Sequence, residues 1–142
     1  MKKSILTCAA AIFFLFTVSV PALPQDPATK TAVSPQVVEI TADNYEFTPA
    51  EVHVKKGTRV QLKVKSVDKT HGLKLDPYPE GALPTGDPGL RFEQSPDTGK
   101  IKKSETGGLI FVAEKPGVYE FKCSVVCGFG HGRMKGKLIV DE

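Results

Sequence analysis

Apolar and polar residues alternate along this chain in short runs that are too brief for helices. In Val38-Glu39-Ile40-Thr41-Ala42 every second residue is apolar, the pattern of a strand with one buried face. Val52 and Val54 repeat it, as do Val60, Leu62 and Val64, and Lys55-Lys56-Gly57 between the two sets predicts a hairpin turn. Further strands are predicted over 109–113, over 118–123 after the Pro116-Gly117 break, and over 135–140. No window carries an apolar repeat of helical period over a useful length. Short strands divided by Gly and Pro predict an all-β sandwich. It would fill 36–142, a size that suits one domain. The stretch 76–108 breaks the rhythm, being rich in Pro and Gly and poor in apolar residues. A connection of that length predicts a functional or a disordered loop.

The residues ahead of the first strand have a different character. Those at 23–35 mix proline with small and polar side chains and read as a flexible linker. Before them, Met1-Lys2-Lys3 gives a positive start, 5–20 is almost wholly apolar, and Val20-Pro21-Ala22 closes the run on a small residue. These are the parts of a secretory signal peptide over 1–22. The competing reading is an uncleaved membrane anchor through 5–20, just short of the about 17–25 residues a span needs. Both readings put the domain in the periplasm or another extracytoplasmic compartment.

Loss of the leader changes the charge and the cysteine count. The full chain carries 19 basic and 16 acidic residues, a net charge of +3. Without Lys2 and Lys3 the balance is 17 against 16, or +1. No basic face is left from which to argue a nucleic-acid partner, and that class is set aside. Cys8 leaves as well, so the domain keeps Cys123 and Cys127. Two cysteines in an oxidising compartment ordinarily form a disulfide.

A competing use for them lies in their neighbours. In the strand ending Tyr119-Glu120-Phe121-Lys122-Cys123 the polar residues face water, so Cys123 belongs to the buried face at the strand's end. The loop that follows gathers Cys123, Cys127, His131 and Met134 within twelve residues, with glycines that allow a tight backbone. Thiolates with imidazole suit copper, zinc or iron–sulfur chemistry, and a thioether beside them points towards copper. A disulfide would leave His131 and Met134 unexplained. A tetrahedral zinc site of Cys123, Cys127, His131 and one more histidine would make Met134 packing only, at a spacing unlike the common zinc modules. Of the other histidines, His53 sits between Val52 and Val54 on the polar face and reads as a surface residue. His71 shares parity with Leu73 and Leu75 and is aimed inward, where it needs a buried partner or a metal.

The run Cys123-x3-Cys127-Gly-x-x-His131-x2-Met134 resembles the copper-A loop of cytochrome c oxidase subunit II and nitrous oxide reductase, whose domains are cupredoxins, Greek-key β-sandwiches. The likeness extends over most of 37–142 and takes in Phe47-x-Pro49, Gly57-Thr58, Asp68 with His71-Gly72, and Pro116-Gly117-Val118-Tyr119. It implies a cofactor of two copper ions in a binuclear centre, bridged by the sulfurs of Cys123 and Cys127. His71 and Met134 would complete one copper, His131 and the backbone carbonyl of Val125 the other. Phe129 is expected in the apolar shell around them.

The resemblance also implies a one-electron carrier that is not itself an enzyme, with c-type cytochromes or a haem–copper oxidase subunit as redox partners. Two departures bear on that. Val125 stands where many oxidase subunits have glutamate, and the chain has no tryptophan, the aromatic through which oxidases take electrons from cytochrome c. Both favour a free-standing or loosely anchored carrier over an integral oxidase subunit, with a copper carrier that hands over its metal as a third reading.

Overall fold

The computed structural model describes residues 34–142. The leader expected over 1–22, and all of the expected linker except Ser34 and Pro35, lie outside the described residues.

Nine strands form the described part: β1 (Gln36–Asp43), β2 (Glu46–Thr48), β3 (Glu51–Lys55), β4 (Arg59–Ser66), β5 (Lys74–Leu75), β6 (Leu90–Phe92), β7 (Thr106–Ala113), β8 (Gly117–Lys122) and β9 (Lys135–Asp141). They pair into two sheets, one in the order β2-β1-β4-β7-β6 and the other β3-β9-β8-β5. Two pairings are parallel, β1 with β4 and β3 with β9. The others are antiparallel.

The alternation in sequence becomes the core directly. Val60, Leu62 and Val64 of β4 are buried against Ile40 and Ala42 of β1 and Leu109, Phe111 and Ala113 of β7. From the facing sheet come Val52 and Val54, Tyr119 and Phe121, and Leu138 and Val140. Aromatic rings meet in two places, Phe47 edge-on to Phe121 and Phe92 against Phe111, each pair with centroids 5.4 Å apart. Each fully buried Val, Leu or Phe stabilises the sandwich by roughly 1.5–3 kcal/mol relative to exposure.

Two expectations are corrected. Lys55-Lys56-Gly57 is not a hairpin turn, because β3 and β4 belong to opposite sheets. The turn carries the chain across the sandwich instead. The Lys56 amide donates to the Asp141 carbonyl of one sheet at 2.8 Å, and the Gly57 amide to the Ala113 carbonyl of the other at 2.7 Å. Alternation reports which face of a strand is buried and is silent about which edge it pairs with.

Nor is 76–108 a structureless loop. It contains β6 and the start of β7, and residues 96–101 run alongside 71–75 through the Leu75 amide to the Pro96 carbonyl, the Thr98 amide to the Leu73 carbonyl, and paired bonds between His71 and Ile101. Few of its residues are apolar because much of it lies on the surface, yet Leu90 and Ile101 are buried anchors.

Phe111 is wholly buried at the middle of β7. Phe111→Ala is expected to lower the unfolding free energy of the reduced, metal-free chain by about 3–5 kcal/mol, read from urea titration.

Candidate metal centre

The ladder between β8 and β9 ends at the Lys122–Lys135 rung, and one further backbone bond, from the Cys123 amide to the Met134 carbonyl at 3.0 Å, closes the loop beyond it. Cys123 and Met134 are therefore held almost as firmly as strand residues. Between them the chain makes a 3-10 turn, His131–Arg133, entered through the His131 amide bonding the Gly128 carbonyl at 3.0 Å. Gly128 has φ +132°, a backbone conformation that a side chain would strain.

His71 arrives from the connection between β4 and β5. Its main chain is locked by reciprocal bonds to Ile101, 3.0 Å from its amide and 2.8 Å to its carbonyl. The ring is completely buried. Nε2 lies 2.7 Å from Asp68 Oδ1, which makes Nε2 the protonated nitrogen and leaves the Nδ1 lone pair free to face Cys123 Sγ at 3.9 Å. Burial pushes the Asp68 carboxyl up, but hydrogen bonds from His71 and Lys69 outweigh it and hold the group at about 2. The partner that a buried histidine needed is thus a carboxylate anchored by Lys69, whose Nζ is 3.3 Å from Asp68 Oδ2.

The structure brings all six residues expected at the centre to one end of the sandwich. Cys123 and Cys127 are free thiols 3.8 Å apart, both buried. Cys127 Sγ lies 3.9 Å from His131 Nδ1 and 3.8 Å from Met134 Sδ, while Cys123 Sγ lies 3.1 Å from the Val125 carbonyl oxygen. One ligand atom each from His71, Cys123 and Cys127 falls within a 4.8 Å span. Burial and the hydrogen bond with Cys123 push the Cys127 thiol up to about 11, so a proton has to leave when a metal enters. Two donors bound to one ion at about 2.0–2.3 Å with tetrahedral angles sit roughly 3.3–3.8 Å apart. The separations here are close to that, so the donors fit a metal with little rearrangement.

His53 is elsewhere, on the outer face of β3 as expected. Both its ring nitrogens are taken by carboxylates, Glu51 at 3.1 Å and Asp141 at 3.3 Å, and these hydrogen bonds raise its pKa. No local pattern marks Asp141, because parallel pairing with β9 is what places it there.

The shell around the donors needs one correction. Phe129 is fully exposed and shields nothing. The aromatic against the loop is Tyr45, which follows Asn44 in a left-handed turn between β1 and β2. Its ring lies so close to the loop that a Cβ on Gly130 would fall 2.2 Å from Tyr45 Cγ. Lys69 caps the same ring, its Nζ 4.4 Å from the centroid and 3.3 Å from the hydroxyl. Parity assigned neither residue to the site. The signal was the glycine spacing in the ligand loop, which marks where another side chain must come close.

Residues 8–140 match the cupredoxin-like domain family. The chain belongs to that family. This cupredoxin is 31% identical over 108 residues to nitrous-oxide reductase of Cupriavidus necator, a match covering 73% of the chain and only 14% of that protein. It is 24% identical over 119 residues to cytochrome c oxidase subunit 2 of Thermus thermophilus, covering 84% of the chain and 76% of that subunit. Auracyanin A, a "blue" copper protein from Chloroflexus aurantiacus, shares the fold with a TM-score of 0.57 at 20% identity, over 76% of the chain and 100% of its own. The cupredoxin is a copper-binding electron-transfer domain, homologous to the copper-A domains of oxidase subunit II and nitrous-oxide reductase.

The Tyr45 contact makes a steric prediction about this cupredoxin. Gly130 has helical φ and ψ, so alanine there meets no backbone strain, only the Tyr45 side chain, its ring and its Cβ. Gly130→Ala should overpack the loop at a cost of about 1–3 kcal/mol and lower the copper retained after gel filtration. Adding Tyr45→Gly in the same chain, which removes the Cβ 2.6 Å away as well as the ring, should restore retention. Normal copper content and melting temperature in Gly130→Ala alone would mean that Tyr45 does not set the loop.

Proposed function

We propose that this cupredoxin holds a binuclear copper centre of the copper-A type and carries single electrons outside the cytoplasm. The observation that carries the reading is the doubled donor set: two free, buried thiols side by side, each facing an imidazole of its own. Four ligands close a structural zinc site. Here Cys123, Cys127, His71, His131, Met134 and the Val125 carbonyl supply six, enough for two ions that share both sulfurs. Copper bound there supplies a reversible one-electron couple whose charge is spread over two nuclei.

The protein's own contribution is to keep those donors still. Cys123 and Met134 are fixed at the loop neck, His71 by Ile101 and Asp68, and the remainder by the 3-10 turn and Tyr45. Donors that cannot move reorganise little when an electron arrives or leaves. With every position filled, none is left for a substrate, so the reading is a carrier and not an enzyme.

Electrons would pass on the loop side. His131 is half-buried, and Val126 and Phe129 beside it are exposed apolar residues, a surface suited to transient contact with a c-type cytochrome or a haem–copper oxidase subunit. Among the described residues no helix is long and apolar enough to cross a membrane. The apolar core at 5–20 of the leader, 1–22, is the segment assigned to export or anchoring in this reading. A second reading, an electron-accepting component of a haem–copper oxidase, is favoured by the match to most of the length of the Thermus subunit. Delivery of copper to another protein is less well served, because donors this buried release metal slowly.

Copper-loaded wild-type protein is expected to hold two coppers per chain, with paramagnetic resonance showing the unpaired electron on both nuclei. Cys123→Ser should retain one copper bound by one thiolate, two imidazoles and a thioether, the set used by mononuclear blue-copper sites, with hyperfine structure from one nucleus. One copper in the wild type, or two delocalised coppers in the serine variant, would sink the bridged centre.

The histidines give a separate test. His71→Ala should bleach the copper absorption or shift it strongly, whereas His53→Ala should leave spectrum and copper content as in the wild type. Equal damage from both would remove His71 from the donor set.

A further inference from the structure

The segment 96–101 does more than cover β5. Its Asp97 Oδ1 accepts two hydrogen bonds of 2.8 Å each, one from the Gly99 amide and one from the hydroxyl of Ser124. Ser124 stands between Cys123 and Val125 in the ligand loop, and its amide reaches back to the Gly72 carbonyl at 3.4 Å. Gly72 follows His71. A Cβ on it would fall 2.5 Å from Ser124 Oγ, 2.6 Å from the Gly99 carbonyl oxygen and 2.9 Å from a Val125 methyl. The missing side chain at 72 is therefore the gap through which Ser124 reaches Asp97.

From this geometry we infer that Asp97 is a positioning residue for the metal centre: it clamps Ser124 across Gly72 and so fixes where the Val125 carbonyl points. The inference rests on the proposed role of that carbonyl as a donor. Cys123 is pinned by its amide to Met134, and the next strong restraint along the loop is the bond from Ser124 to Asp97. With both in place the peptide units on either side of Ser124 have little freedom, and the Val125 oxygen stays 3.1 Å from Cys123 Sγ. Without the second restraint, residues 124–126 would be held on that side mainly by the long Ser124–Gly72 bond, and the exposed Val126 would supply no anchoring. The connection 76–108 thereby acquires a function: it carries the carboxylate that holds the ligand loop from outside.

The test compares Asp97→Ala, Asp97→Asn, Ser124→Ala and the Asp97→Ala/Ser124→Ala pair with the wild type. The first readout needs no metal, namely the rate at which iodoacetamide alkylates the two buried thiols of the reduced, metal-free chain under native conditions. A lost charge-assisted hydrogen bond that holds a loop closed should speed this about fivefold in Asp97→Ala. Ser124→Ala should match it and the pair should add nothing. Asp97→Asn should stay within about twofold of the wild type, since its side-chain oxygen can accept the same two bonds.

The second readout is the copper spectrum, which should shift in both alanine variants and return in Asp97→Asn. Wild-type alkylation rates in Asp97→Ala would overturn the clamp. So would an asparagine variant as fast as the alanine one, because charge and not the hydrogen bond would then be responsible. Faster alkylation with an unshifted spectrum would overturn the positioning role. Should the wild type fail to bind two coppers, the binuclear reading falls on that measurement alone, while the alkylation rates still decide the clamp. Ser124→Ala, which removes one hydroxyl from the partner side, keeps the test open if Asp97→Ala does not fold.

Discussion

A single backbone hydrogen bond, from the Cys123 amide to the Met134 carbonyl, sets the terms for this end of the molecule. It extends the β8–β9 ladder by one step and closes a twelve-residue loop at its neck. Closing a loop costs chain entropy, and here the paired strands on either side have already brought the ends together. Two sulfur donors, at the first and last residues of the loop, are thereby placed by sheet geometry. The loop itself has to place only Val125, Cys127 and His131. A tight turn after Gly128 is sufficient for that, provided something outside the loop keeps it pressed inward. Tyr45 does so on one flank, and the 96–101 segment lies on the other.

The remaining histidine poses a different physical problem. An imidazole with no exposed surface must have its polar atoms matched, or it costs stability. Asp68 takes the Nε2 side, and a half-buried carboxylate in turn favours a cation beside it, which Lys69 provides. Lys69 then lies over the Tyr45 ring, so the polar chain that begins at the imidazole facing Cys123 ends on the aromatic that packs the 123–134 loop. The two halves of the site, one from the β4–β5 connection and one from β8–β9, are coupled through ordinary side chains as well as through any metal between them. A centre built this way has much of its geometry before metal arrives.

How much of this could be read from the chain depended on the kind of interaction. Buried faces of strands followed from alternation, and so did the inward aim of His71 and Cys123, because side-chain direction is a local property of extended backbone. Cys127, His131 and Met134 could be grouped because one short loop carries them all. Pairing was a different matter. The turn at Lys55-Lys56-Gly57 looks like a hairpin in sequence, yet β3 pairs in parallel with β9, at the far end of the chain. Tyr45 and Asp97 were missed for the same reason: they reach the centre across the fold, from positions with no local pattern. Phe129 was misplaced because a large aromatic in a ligand loop suggests burial. Here the backbone turns it outward, and a tyrosine from another loop occupies the inner side.

The outward phenylalanine and the inward tyrosine together explain how one loop can serve two opposed needs. Electron transfer requires a partner to come close to the centre, whereas retaining the metal requires water and competing ligands to stay away. Phe129 and Val126 extend the apolar surface outward without uncovering the donors beneath, since Cys127 and Met134 remain buried under the same backbone. A glycine at 128 permits the sharp change of direction that turns one neighbour out and the next residues in. Contact through such a small apolar patch is weak and brief, which suits a carrier that must release its partner after each electron. Delivery of the metal itself would need those donors to open, and the restraints on Cys123, His71 and Ser124 all act against opening. The rigidity that favours passing electrons is thus the property that disfavours passing copper.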